Sequence, residues 1–564
     1  MSGEDFRGGA PLPPRAERLA ALESRTFDAL VVGGGITGAA TARDLASRGL
    51  SVALVEREDW ASGTSWRSSK LVHGGLRYLA KGDLLLVFQS LAERARLLRL
   101  APHLVVPLEF LFAILRGHWV SPPTLAAGLT LYDALAFGRG HGHRWLSARA
   151  TVEAEPLLEG ANLAGGALYA DALTDDARLT LENVLDAAAL GAVVVSRVSV
   201  ESFLRGRPNG AVEGVAARDV ETRSELQVRA RVTVEAAGPW TDALRRQEVP
   251  GASPTVRLSK GAHITVPFAV LPVRRAVAIP AERGRLVFVI PSGPVTLIGT
   301  TDADYTGSVD GVRPAPSDVE YLLARARVAF PARAPVRRDV IAAFAGLRPL
   351  RFEPGRDVTS MSREESLDVS PGRVIVIGGK LTTHRRMGRR AGDAVAAQLR
   401  ARGVASGKSA TADRKFPGAP EGAMEAFVER FVQDALASIP DSAARHLARR
   451  YGTRADGILA LVAKGGLSSA LVSGLPDLEA EVIFAARFED ARSAADVLIR
   501  RTHLFWQAPH QSVAALPRVQ ELLREELRWT KETEAMSRDE YLREVEKSRS
   551  AFADGEDPAG SKTL

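Results

Sequence analysis

The run Ala29-Leu30-Val31-Val32-Gly33-Gly34-Gly35-Ile36-Thr37-Gly38 sets G-x-G-x-x-G directly after an apolar strand and at the start of a helix. That arrangement is suited to binding a pyrophosphate. Gly33 permits the tight turn, Gly35 lets backbone N–H groups approach the phosphates, and Gly38 lets the helix close on the sheet. Ile36 and Thr37 open that helix and are counted among the cofactor contacts. The next strand, Ser51 to Val55, ends at Glu56, at the separation where a carboxylate accepts hydrogen bonds from a ribose diol.

NAD and FAD both use this fingerprint, and the following residues bear on the choice. In place of a third strand and a nucleotide half-domain comes Ala61-Ser62-Gly63-Thr64-Ser65-Trp66-Arg67-Ser68-Ser69-Lys70-Leu71-Val72-His73-Gly74-Gly75-Leu76-Arg77-Tyr78. Thr64, Ser65, Ser68, Ser69, Gly74 and Gly75, with Lys70 and Leu76 among them, make a small, hydroxyl-rich path. Such a path can lead from a pyrophosphate to an isoalloxazine ring. An ordinary Ser/Gly-rich surface loop is the competing reading by composition.

With 0 Cys in 564 residues there is no thiolate zinc site, iron–sulfur cluster, disulfide or thiol nucleophile, so a bound organic cofactor must carry redox equivalents. No metal is expected. A net charge of +7 and a pI near 9.7 could draw anionic lipid, nucleic acid or a phosphorylated metabolite. The absence of a zinc finger, a basic-aromatic RNA motif or a long Lys/Arg block argues against nucleic acid. Met1 to Arg18 is polar and Pro/Gly-rich, which predicts a disordered tail rather than a secretory signal, and cytoplasmic residence. No run of 18 apolar residues occurs, so attachment to a membrane surface stays open but spanning does not.

The elements that must position these residues recur in three places. Phe27 to Ser47, Val228 to Arg245 and Arg373 to Arg400 each read as an apolar strand ending in small residues and then a helix. In the second, Val232-Thr233-Val234 runs into Ala236-Ala237-Gly238-Pro239, which puts Ala237 and Gly238 beside the cofactor. Alternation over Val193 to Val228 and Leu286 to Thr301 suggests an inserted antiparallel sheet. Residues 403 to 421 form a linker, and the pattern beyond is helical.

Ser68-Ser69-Lys70-Leu71-Val72-His73-Gly74-Gly75-Leu76-Arg77-Tyr78-Leu79, Ile298-Gly299-Thr300-Thr301-Asp302 and Gly378-Gly379-Lys380-Leu381-Thr382-Thr383 closely resemble motifs of the FAD-dependent, quinone-linked glycerol-3-phosphate dehydrogenases. The likeness extends from about residue 26 to 530. It implies an α/β fold: a glutathione-reductase-like, Rossmann-type FAD-binding domain, an antiparallel-sheet substrate domain and a C-terminal all-helical domain. The expected division is a disordered tail over 1–24, a discontinuous FAD-binding domain over about 25–100, 160–245 and 355–402, and a substrate domain over about 101–159 and 246–354. The linker 403–421, a helical cap over 422–547 and a second disordered tail over 548–564 follow.

The resemblance further implies FAD as cofactor, glycerol 3-phosphate as substrate and a membrane quinone as acceptor. Its matching positions are Arg77, Tyr78, His263, Arg348, Arg363 and Lys380. Oxidising a secondary alcohol requires a base, a hydride acceptor and fixed cations for the phosphate, and Arg supplies bidentate, permanently charged forks. Arg348 and Arg363, assisted by Arg77 or Lys380, are expected to hold the phosphate, and Tyr78 the glycerol hydroxyls. His263 is the expected base because an unperturbed imidazole titrates near neutrality; a packing role, with Arg348 stabilising the alkoxide, is the alternative. Lys380, with Gly379, Leu381 and Thr382, is expected at the flavin N1–C2=O edge, where its charge would raise the potential.

Two departures from the family pattern stand out: His384 where tyrosine is usual, and Trp66-Arg67 where smaller residues are usual. Trp119 to Phe137 reads as either an interfacial or a buried apolar segment, and the arginine row from Arg385 to Arg402 as lipid- or solvent-facing. The expected setting is cytoplasmic and peripheral on the inner face of the membrane, with a homodimer as a further possibility. Alternatives are an oxygen-reducing glycerol-3-phosphate oxidase, an amino-acid-oxidase-like enzyme and a non-catalytic flavin-binding subunit.

Overall fold

The computed structural model describes residues 11–79, 82–136, 142–206, 210–282, 284–355, 361 and 364–553. The strand Phe27–Val32 lies between Glu225–Glu235 and Val52–Val55, all three parallel. Val193–Val195 and Arg373–Ile377 extend this sheet in parallel, and Ser366–Ser370 closes one edge antiparallel. Near-continuous apolar runs such as Arg373-Val374-Ile375-Val376-Ile377, buried at every position, are what a parallel sheet covered on both faces demands. One face carries the helices Ile36–Ser47, Asp176–Ala189 and His384–Arg400, through Ala39, Leu45, Leu181, Val184, Met387 and Val395. The other is covered by the strands Val198–Arg205 and Val212–Asp219 and by an N-terminal helix.

That helix corrects the expected disordered tail over 1–24. Arg15–Ser24 is helical, with Leu22 fully buried. Arg18 is buried too, donating to Asp490 Oδ1 at 2.6 Å and to the Val194 carbonyl at 2.7 Å. The Pro/Gly-rich first half of the segment hid an amphipathic second half; residues 1–10 lie outside the described residues.

Among the described residues the second sheet has ten strands. Val256–Pro267 pairs with Ala342–Arg351 on one side and with Val295–Gly299 on the other. Leu286–Ser292, Ala276–Pro280, Val105–Leu115, Leu163–Thr174 and Leu71–Val72 follow in order. Its pairings are antiparallel except that Ala276–Pro280 runs parallel to Val105–Leu115. One boundary moves as a result. Leu163–Thr174 was expected in the FAD-binding domain but is the ladder partner of Val105–Leu115, while the strands over Val198–Asp219 cover the nucleotide-binding sheet. Alternation shows that a strand is half-buried but not which sheet it joins.

Residues 403–421 hold no regular helix or strand, yet Phe416 is buried and Arg414 pairs with Asp186 at 2.8 Å. The helices Met424–Ala435, Asp441–Tyr451, Ala455–Gly465, Glu479–Phe488, Leu516–Leu527 and Lys531–Arg549 follow. The last runs into the expected C-terminal tail: Ala551 is fully buried and the Phe552 carbonyl accepts from Arg337 Nε at 2.9 Å, while 554–564 lie outside the described residues. Buried ion pairs fasten this region to the rest. Arg178 forks onto Glu489 at 2.8 and 3.0 Å, and Asp59 receives Arg500 at 2.5 Å and Arg501 at 2.8 Å. Burial would raise the Glu489 carboxyl, but Arg178, Arg454 and Arg501 hold it at about 2.

The apolar segment becomes the helix Pro122–Ala136, with Leu125, Leu129 and Tyr132 buried but Trp119 and Leu131 respectively 38% and 39% exposed. Phe137 lies outside the described residues. Among the described residues no helix is long and apolar enough to cross a membrane. Most of the arginine row is internally paired: Arg385 with buried Glu93, and Arg386 and Arg390 with Glu365.

Candidate active site and cofactor cleft

One cleft runs between the two sheets. At its first end the chain has almost no side-chain bulk. Gly33 has φ +110°, and a Cβ there would lie 2.6 Å from the Ala236 carbonyl oxygen. A Cβ on Gly38 would lie 1.8 Å from the Gly33 carbonyl oxygen, so helix and strand touch only because position 38 has no side chain. Glu56 accepts the N–H groups of Gly34 at 2.5 Å and Glu58 at 2.8 Å, against a burial that raises its pKa. Ser65 Oγ accepts the Ile36 N–H at 2.9 Å. Bare backbone at Gly33, Gly35, Ala237 and Gly238, a helix N-terminus and a ribose-reaching carboxylate fit a dinucleotide diphosphate.

The expected residues Ile36, Thr37, Thr64, Ser68, Ser69, Gly75, Leu76 and Tyr78 line the same cleft, as do Gly379, Leu381 and Thr382. Gly38 lies behind its wall, where close packing needs it. Two expected contacts need correction. Lys70, at φ +57°, turns into the core, donating to Asp176 Oδ1 at 2.7 Å and the Trp66 carbonyl at 3.1 Å. Gly74 gives its N–H to Tyr132 Oη at 2.9 Å and Asp171 Oδ1 at 3.1 Å, supporting the wall from outside. Arg77 belongs to the short helix Leu76–Leu79; its side chain, and Arg363 altogether, lie outside the described residues.

At the other end His263, Arg348 and Lys380 face one space. Ser259 and Arg348 are cross-strand partners. The guanidinium lies back over Gly261, where a Cβ would come within 2.2 Å of Nη2. Arg348 donates from Nη1 to Asp302 Oδ1 at 3.2 Å and from Nη2 to Thr300 Oγ1 at 3.0 Å, which aims the fork. Lys380 Nζ stands 3.4 Å from the Tyr78 ring centroid, a cation–π contact. The His263 ring stacks on Phe344 at 5.3 Å, and its Nε2 shares a hydrogen bond with Ser69 Oγ at 2.8 Å. Burial, then the charges of Arg348 and Lys70, push its pKa well below the usual histidine range. This corrects the expectation of a base titrating near neutrality: the ring is a neutral imidazole at physiological pH.

Residues 28–394 match the model of the family described as FAD dependent oxidoreductase, and residues 409–534 match that of the C-terminal domain of alpha-glycerophosphate oxidase. The aerobic glycerol-3-phosphate dehydrogenase of Bacillus subtilis is 35% identical over 496 residues, covering 86% of this chain and 89% of that protein. The chain belongs to the FAD-dependent glycerol-3-phosphate dehydrogenases. The mitochondrial glycerol-3-phosphate dehydrogenase of Mus musculus is also 35% identical, over 92% of this chain and 73% of its own. A solved glycerol-3-phosphate dehydrogenase from Bacillus halodurans, complexed with FAD, superposes with a TM-score of 0.79 at 32% identity, covering 96% of this chain and 98% of the other.

Within this dehydrogenase cleft several residues escaped the sequence reading. Thr300 and Asp302 stood in a quoted motif, so their role beside Arg348 was within reach. Phe110, Tyr169 and Phe288, which line the cleft together, come from three strands far apart in sequence, and no local signal joins them. Asp171, also lining, was an unremarked acid in a strand. His384 hydrogen-bonds through Nδ1 to the Leu381 carbonyl at 2.7 Å, and burial takes its pKa down to about 4.

Proposed function

We propose that the chain oxidises sn-glycerol 3-phosphate to dihydroxyacetone phosphate and passes the electrons to a membrane quinone. The reading is carried by one observation: His263, Arg348 and Lys380, from three separate segments, share the cleft that the glycine motif opens. FAD bound there supplies a two-electron acceptor for the hydride leaving C2. Arg348, aimed by Thr300 and Asp302, takes the substrate phosphate with a charged fork together with Arg363, assisted by Arg77 or Lys380. Neutral His263 accepts the C2 hydroxyl proton at its imidazole, and Ser69 Oγ holds the ring in place. Tyr78 positions the glycerol hydroxyls, and the Lys380 ammonium stabilises negative charge that develops nearby.

The test is anaerobic addition of glycerol 3-phosphate to the purified holoprotein. Loss of the oxidised-flavin absorbance is expected; an unchanged spectrum would rule out both this reading and the neighbouring oxidase reading, and would leave a non-catalytic binder. The match of residues 409–534 to an oxidase C-terminal domain model keeps oxygen as a second acceptor. Peroxide yield measured beside quinone reduction separates the two. Exposed Trp119 and Leu131, with exposed Leu84 and Leu85 at the start of the neighbouring helix Leu84–Leu100, support docking on the inner membrane face. Flotation with vesicles is the check on that part, and light scattering on a homodimer.

A further inference from the structure

Between the glycine motif and the substrate end, one wall of the cleft is neither a sheet strand nor a long helix. Ser62, Gly63, Thr64, Ser65 and Arg67 line it, and its regular structure is one short helical turn, Thr64–Trp66. Such a stretch needs its polar groups satisfied by side chains. Arg67 Nη1 donates to the Ser62 carbonyl at 2.6 Å and to the Gly63 carbonyl at 3.0 Å, closing the loop on itself. The guanidinium is steadied by the Trp66 ring, 4.6 Å from its centroid.

The other arm of the fork leaves the cleft. Arg67 Nη2 donates to Glu544 Oε2 at 3.1 Å, on the C-terminal helix Lys531–Arg549. Burial would raise the Glu544 carboxyl, but Arg67 and Lys547, the latter 2.7 Å away, bring it down to about 2, so the pair is ionised at physiological pH. The helix itself is anchored at its C-terminal end: Ser548 Oγ accepts the Ala343 N–H at 2.9 Å, and Arg549 Nε donates to Gln511 Oε1 at 2.7 Å. Glu544 does not line the cleft.

We propose that Glu544 latches the Ser62–Arg67 wall shut through Arg67, so that the C-terminal helix sets how long the dinucleotide cofactor stays bound. A molecule the length of a dinucleotide leaves a cleft between two sheets only if a wall moves, and moving a ladder strand breaks several hydrogen bonds at once. Swinging the Ser62–Arg67 wall outward leaves the ladders intact and breaks the Arg67–Glu544 bond, together with the Thr64 Oγ1 bond to the Leu347 carbonyl and the Ile36 N–H bond to Ser65 Oγ. Glu544 opposes that swing because it ties Arg67 to a helix outside the wall, while the Nη1 bonds to the Ser62 and Gly63 carbonyls move with the wall. Arg67 and Glu544 are thus positioning residues for the cofactor, remote from the reacting carbon. The inference rests on the reading that this cleft holds FAD.

The experiment is release of FAD from the intact holoprotein, followed by the appearance of the trap's bound-flavin absorbance after mixing with an excess of a flavin-trapping apoprotein. Glu544→Gln should speed release roughly fivefold, the size expected for a partly exposed pair. Glu544→Lys should speed it further by setting like charges face to face. Added salt should accelerate release from the wild type more than from Glu544→Gln. Arg549→Ala, which loosens the end of the same helix, should speed release less than Glu544→Gln does, and Glu544→Gln should keep the wild-type kcat at saturating FAD. Unaltered release in a flavin-loaded Glu544→Gln protein overturns the latch and leaves the cofactor assignment standing, as does equal acceleration by Arg549→Ala. A wild-type protein that neither carries nor takes up FAD overturns both.

Discussion

The two ends of the cleft are built on opposite plans. The nucleotide end is backbone: Gly33, Gly35 and Gly38 act through the absence of side chains, within six consecutive positions. The substrate end is side chains: His263, Arg348 and Lys380 come from three segments and are aimed by neighbours such as Ser69, Thr300 and Asp302. A backbone site fails by steric clash and takes the local fold with it. A side-chain site loses charge and orientation one group at a time, and the fold survives.

Substitutions that separate those outcomes sharpen the contrast, and the largest effect is expected at Gly38. A Cβ there meets the Gly33 carbonyl oxygen at 1.8 Å, so Gly38→Ala should cost more than about 4 kcal/mol and yield little folded holoprotein. Thermal unfolding and flavin content report it, and a stable yellow Gly38→Ala protein would break the contrast. Arg348→Ala should keep the flavin but lose about 3 kcal/mol of transition-state binding, near 100-fold in kcat/KM, chiefly through KM. Wild-type kcat/KM would remove Arg348 from the phosphate role.

The pH dependence of folding probes the buried ring behind the substrate end. His384 titrates near 4 in the folded chain and near 6.5 when unfolded. Between those values the unfolded chain takes up a proton that the native state refuses, so stability falls as pH falls through that window, by roughly 3 kcal/mol in all. Denaturant titrations of wild type and His384→Gln at neutral and mildly acidic pH should show the variant losing less; equal losses would mean that the imidazole is not held neutral. The smallest effect is expected at Glu56, whose carboxylate already serves two backbone N–H groups. Glu56→Gln should weaken FAD binding by about 1 kcal/mol, measured by flavin titration of the apoprotein, with KM for the substrate unmoved.

Much of the nucleotide end was legible in residues 29–56, because a phosphate-binding turn is a local object whose glycines and strand sit next to one another. The three-segment assembly of its sheet was legible for a similar reason, since each segment repeats a strand, small residues and a helix. Lys70 was misread because its neighbours are cofactor contacts while its own positive φ turns it inward. Leu163–Thr174 was placed with the FAD-binding domain because a boundary drawn along the chain carries no information about a ladder partner. The N-terminal helix was missed because composition averaged over a segment conceals the few residues, Arg18 and Leu22, that dock it.

By itself the sequence determined the chemical inventory: a pyrophosphate turn, a redox reaction confined to a bound cofactor, and arginine, lysine and histidine in recognisable motifs. Local steric rules and residue types suffice for that. Only the tertiary structure decided the electrostatic state of those groups. His263 is a neutral imidazole because burial and the charges of Arg348 and Lys70 surround it. Arg67 answers to a carboxylate hundreds of residues away. Charge and hydration depend on what lies within a few ångströms in space, and chain order does not carry that distance.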